Sequence, residues 1–98
     1  MRKSTLEQHI HDMSNLKELD ELALKYANGG NFSVAMRAWM RAEELGDTKC
    51  RKNIAVMIML GRVQGEEFRK GVELVKRWKE EGDADVLDVI KLYELCQN

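Results

Sequence analysis

Proline is absent from all 98 residues. Helix interiors exclude proline, whereas sandwiches and barrels commonly place it in their turns, so its absence favours long helices over strands. Cysteine is scarce: Cys50 and Cys96 are the only two, fewer than a disulfide scaffold of this size needs. Both sit in apolar helical patterns and are expected as buried, reduced thiols. Long apolar runs are missing too. The longest, Ile54 to Leu60, has seven residues, against the ~20 that a membrane helix requires. Residues 1–10 hold two basic residues but no apolar stretch, so they do not read as a signal peptide, and a cytoplasmic protein with no membrane partner is expected. Nor does one sign of charge dominate. A formal net charge of −1 gives no general attraction to nucleic acid or to anionic membranes.

What is present suits a folded chain. Hydrophobic residues make up 44% and charged residues 34%, a core composition with a solvated shell rather than a disordered one. The length suits a single domain that buries enough surface to fold without staples. Glu43-Glu44-Leu45-Gly46-Asp47 and Glu80-Glu81-Gly82-Asp83 punctuate it alike, their glycines 36 residues apart. Glycine tolerates the left-handed conformation past a helix end, and the aspartate after it can cap the next helix. Asp12 stands 35 residues before Asp47 ahead of a similar segment.

Between these corners apolar residues recur with a 3.6-residue period. Leu16, Leu19, Leu22, Ala23 and Tyr26 form one stripe, opened by Asn15 and Glu18 as a capping box. After the Asn28-Gly29-Gly30-Asn31 break, Phe32, Ala35, Met36, Trp39, Met40 and Ala42 form a second. A third helix, about 48–60, carries Cys50, Ile54, Met57 and Ile58 and is apolar nearly all round. Phe68, Val72, Val75 and Trp78 mark a fourth, and Val86, Val89, Ile90 and Tyr93 a fifth. Ser4-Thr5-Leu6-Glu7 is another capping box, which predicts a short leading helix or extension over 4–12. The fold is all-α, with no alternation that suggests a strand.

Leu19-x-x-Leu22-Ala23-x-x-Tyr26 followed by Ala35-x-x-x-Trp39-x-x-Ala42 resembles a tetratricopeptide repeat. Residues 40–47, Met-Arg-Ala-Glu-Glu-Leu-Gly-Asp, are similar to the close of a Sel1-like repeat, as is the 36-residue period. The resemblance divides the chain into repeat 1 (about 15–46), repeat 2 (about 47–82) and a capping helix (83–97). Repeat 2 departs from the pattern at Gly61, Gly71 and Trp78, where the family places a tyrosine, an alanine and a small residue. The likeness implies a short right-handed array of antiparallel helix pairs whose concave face takes a peptide or partner protein. Carried onto this chain, that face holds Lys17, Asp20, Leu24 and Asn28, then Lys52, Ala55, Met59 and Arg62, then Asp88, Lys91 and Leu95. Leu24 and Met59 have an alternative reading as core positions.

No catalytic grouping emerges. His9 and His11, two apart, face different ways on a helix and lack further ligands nearby. Neither glycine-containing stretch closes as a phosphate loop, and no nucleophile elbow occurs. The expectation is therefore no enzyme, no cofactor and no metal. Charge is segregated along the chain. Residues 49–79 hold nine basic against three acidic residues, and residues 80–98 one against six. The basic block comprises Lys49, Arg51, Lys52, Arg62, Arg69, Lys70, Lys76, Arg77 and Lys79. Three readings stay open: partial neutralisation by the acidic last helix, an acidic protein partner, or nucleic acid. Against the last stand the lack of interleaved aromatics and of a recognition helix. The expected function is a stoichiometric protein-interaction module, such as an adaptor, chaperone or inhibitor. Self-association is a further option, because a short array exposes apolar ends.

Overall fold

A computed structural model describes residues 5–97, apart from the side chains of Thr5, Glu7 and Gln97. Among the described residues the chain is all-α, with helices α1 (Thr5–Asp12), α2 (Leu16–Asn28), α3 (Phe32–Glu44), α4 (Cys50–Met59), α5 (Gly65–Glu81) and α6 (Ala84–Gln97) and no strand. The leading helix expected over 4–12 is α1; the Ser4-to-Glu7 capping box lies outside the described residues. The chain falls into two compact units, Met1–Cys50 and Arg51–Asn98.

Four of the helix ends, those of α2 to α5, share one construction. At Gly82 the amide donates to the Lys79 carbonyl at 3.1 Å and the Asp83 amide to the Trp78 carbonyl at 3.0 Å, the paired closure that satisfies the last carbonyls of a helix. The closure needs a left-handed residue, and Gly82 has φ +82. A Cβ there would meet nothing within 4 Å, so glycine is required for its backbone conformation and not for space. The same pair of bonds closes α2 at Gly30, α3 at Gly46 and α4 at Gly61. Two of these glycines are followed directly by a capping residue: Asn31 Oδ1 accepts from the Val34 amide and Asp83 Oδ1 from the Val86 amide. Asp47, expected as a cap of the next helix, instead accepts from the Lys49 amide two residues on, ahead of α4. Gly30-Asn31 is thus a third corner of the Gly-Asp kind, with asparagine doing the aspartate's work. The Asp47 turn holds residues 48 and 49 out of the helix, so α4 begins two residues later than the periodicity suggests. Asn15 Oδ1 accepts from the Glu18 amide at 3.1 Å and caps α2. Asp12 instead closes α1 and does not open α2.

In the first unit α2 packs along α3, and α1 also meets α3. Leu19 and Ala23 of α2 and Ala35, Met36, Ala38, Trp39 and Ala42 of α3 are buried. The alanines leave little side chain between backbones, which favours a close crossing. Ile10 of α1 is buried as well. Arg41 Nε donates to the Met13 carbonyl at 3.0 Å, fastening the α1–α2 link to α3.

In the second unit α5 and α6 meet, and the buried residues are Ile54, Ala55, Ile58, Val63, Gly71, Val75, Trp78, Val86 and Val89. Gly71 and Trp78 lie seven residues apart, hence on one face of α5. Two of the three departures of repeat 2 from the repeat pattern, Gly71 and Trp78, therefore place a minimal and a maximal side chain on a single buried stripe.

Candidate interaction faces

Lys17, Asp20, Leu24 and Asn28 recur at three- and four-residue intervals, which aligns them on one side of α2. All four are exposed, while Leu19 and Ala23 on the opposite side are fully buried. Leu24 is 45% exposed, so on the choice left open above it is a surface residue and not core. Asp88, Lys91 and Leu95 likewise lie exposed on one side of α6. The stretch from α4 is divided. Lys52 and Arg62 are exposed and Met59 is half-buried, but Ala55 is fully buried. Ala55 is thereby corrected from a face residue to a core residue, sharing the buried side with Ile54 and Ile58.

The members of the basic block differ in exposure and surroundings. Lys49 belongs to the first unit. Arg51 is drawn inward: its Nη1 lies 3.1 Å from Asp83 Oδ2 and 3.8 Å from Glu81 Oε1, and its guanidinium sits 4.9 Å from the centre of the Trp78 ring. Side-chain exposures of 19% for Arg51 and 17% for Asp83 make this pair only partly solvated. Asp83 uses its two oxygens separately, Oδ1 to cap α6 and Oδ2 to hold Arg51. On α5, Arg69, Lys70, Lys76, Arg77 and Lys79 are all exposed, but so are Glu66, Glu73 and Glu80 at seven-residue intervals. These glutamates run along the same side as Arg69, Lys70, Lys76 and Arg77. One such pairing, Lys70 Nζ to Glu66 Oε1, measures 4.0 Å, a solvated contact that is worth little by itself. Much of the basic charge of α5 is therefore offset within α5 itself.

The two roles of Asp83 separate by substitution. Asp83→Asn keeps an oxygen for the Val86 amide and loses the charge facing Arg51, and should cost about 1 kcal/mol. Asp83→Ala loses both and should cost about 2–3 kcal/mol. Urea unfolding followed by Trp78 fluorescence in a Trp39→Phe background measures the difference. No loss in Asp83→Asn would remove the ion pair from the account, and equal losses for the two variants would remove the cap.

Cys50 is buried, and its thiol donates to the Asp47 carbonyl at 3.4 Å. Cys96 is exposed, which corrects the expectation of two buried thiols. It lies on the Val89 stripe, but in the last turn of α6, where Glu94 and Leu95 are also exposed. The helix outruns the core that would cover it. Leu87 and Leu92 of α6, outside the apolar stripe of that helix, are 39% and 62% exposed. The signal for them was that α6 is apolar beyond its Val86–Val89–Ile90–Tyr93 stripe.

Among the described residues no group of three or more His, Cys, Asp or Glu is placed to hold a metal ion, and no helix is long and apolar enough to cross a membrane.

No family model, curated protein or solved structure matches this chain. The likeness of residues 19–47 to a tetratricopeptide or Sel1-like unit is thus a likeness of pattern.

Proposed function

We propose that the chain is a non-enzymatic, cytoplasmic protein-interaction module of the tetratricopeptide/Sel1-like kind. It acts stoichiometrically, as an adaptor, chaperone or inhibitor, on another protein or peptide. The observation that carries this reading is the outward side of α2, where exposed Lys17, Asp20 and Asn28 surround the exposed Leu24. The opposite side of the same helix is fixed by Leu19 and Ala23 in the core, so the outward groups ride on a held scaffold. A leucine anchor amid polar groups of both signs suits recognition of a peptide or helix: apolar contact supplies affinity and the charges set register.

The test compares affinity capture from the native cell extract by the wild-type chain and by Leu24→Asp and Lys17→Glu variants, quantified by mass spectrometry. The expected result is a set of proteins depleted at least about tenfold by each variant, with helicity and melting unchanged. Captured proteins that ignore both substitutions, or that vanish only with loss of helicity, would count against the α2 face. Capture that disappears on nuclease treatment, with binding that falls steeply as salt rises, would favour a nucleic-acid ligand.

A further inference from the structure

α6 carries apolar side chains on more than its buried side. Val86 and Val89 are buried, and Ile90 and Tyr93 are half-buried beside them. Turned away from these are Leu87, Leu92 and Leu95, at 39%, 62% and 62% exposure. Leu92 and Leu95 are the most exposed large apolar side chains among the described residues. The same side holds exposed Asp88 and Lys91, one helical turn apart and opposite in charge. Three leucines gathered on one side of a 14-residue helix mark a contact surface in a way that single scattered leucines do not.

We propose that this side of α6 pairs with the same side of a second copy of the chain, the two α6 helices running antiparallel about a two-fold axis. Ala84, Asp88, Lys91 and Leu95 follow the alternating four- and three-residue spacing of a helix-pair seam. In the register that sets Asp88 level with Lys91 of the second copy, Leu95 falls level with Ala84 of the second copy. A large side chain then meets a small one, an acid meets a base, and the two-fold repeats both. Leu87 and Leu92 stand on either flank of the seam and lose solvent as the helices close. A foreign helix can match the leucines, but the order Asp88-then-Lys91 is complementary to its own reverse, which singles out a second copy as the occupant. A helix of this length spans about 21 Å, so the contact belongs to the small-interface class and should give a micromolar dimer rather than a nanomolar one. The proposed pairing does not rest on the function proposed for α2.

Sedimentation equilibrium of the full chain, from about 1 μM to about 1 mM, tests the pairing. The wild-type chain should show a monomer–dimer equilibrium within that range. Asp88→Lys alone and Lys91→Glu alone each bring like charges level at both symmetry-related positions and should weaken dimerisation at least about tenfold. An equimolar mixture of the two variants again brings opposite charges together at both positions, and so does the double variant carrying both changes. Association should return in each case to near the wild-type strength. Circular dichroism verifies that every variant keeps its helicity, as expected for exposed positions. A wild-type chain that stays monomeric to the top of the range leaves this side of α6 to a different protein and overturns the proposal. A dimer indifferent to both single changes, or a mixture that fails to recover, overturns it as well.

Discussion

Replacing Trp78 by alanine is expected to lower stability by about 3–5 kcal/mol, the range for removing a fully buried tryptophan. Trp78 is 1% exposed and heads the fully buried side chains by volume. Most of the loss is the apolar area returned to water together with the cavity left behind. A smaller part comes from Arg51, whose guanidinium faces the ring at 4.9 Å, a stacking worth roughly 0.5–2 kcal/mol depending on solvation. Without the ring, Arg51 is less well held against Asp83, so the two losses should not be strictly additive. The closure of α5 survives, because the Trp78 group that accepts from the Asp83 amide is its backbone carbonyl. The variant should therefore lose tertiary stability before helix content. Denaturant unfolding by circular dichroism measures the loss, and Trp39, the one indole left, reports on the first unit in the same samples. A Trp78→Phe variant should recover part of the loss. A cost below about 1 kcal/mol for Trp78→Ala would be incompatible with the burial described.

That residue also shows where the sequence was informative and where it was not. Gly71 and Trp78 read individually as departures from a repeat pattern that places small residues at both positions. Volume is exchanged along a stripe, though, and only a packed α5 shows that the two positions share one buried side. Helix ends were far more legible, because capping is local. The Gly-Asp corners at 46–47 and 82–83 can be read from two letters, and Gly30-Asn31 belongs with them once asparagine is counted as an equivalent cap.

Arg51 marks the opposite limit. Its neighbours in sequence are basic, and it counts toward a basic block, yet its carboxylate partner Asp83 is 32 residues away. No local pattern announces such a pair. The charge of α5 is hard to read for another reason: Glu66, Glu73 and Glu80 stand in the sequence, but a sum over a segment does not sort charges by helix side. A total of charges along a helix does not say what any side presents. In α6 the limit is periodicity itself. With Leu87, Leu92, Leu95 and Cys96 outside or at the end of the valine stripe, the apolar pattern does not reveal which side is covered. Burial of Val86 and Val89 settles it, and the uncovered leucines then become the more informative residues.

Two leucines on α2 give the sharpest contrast between core and face. Leu19→Ala is expected to cost about 2–5 kcal/mol, whereas Leu24→Ala should change stability by no more than about 0.5 kcal/mol. Leu19 has no exposed surface, and Leu24 is 45% exposed on the side that carries Lys17, Asp20 and Asn28. Residue type, helix and substitution are the same for both, and neither lies in the capping turn held by Asn15. Helix propensity, slightly favourable to alanine in each case, cancels in the comparison. The difference in unfolding free energy between the variants therefore isolates burial. Urea midpoints at constant m-value measure it, with Trp39 fluorescence in a Trp78→Phe background following the unit that holds both leucines. For Leu24→Ala a normal midpoint joined to loss of a captured partner would locate that residue's contribution in binding, where the function proposed for α2 needs it. A midpoint that falls as far as that of Leu19→Ala would return Leu24 to the core and remove the anchor from that side of the helix.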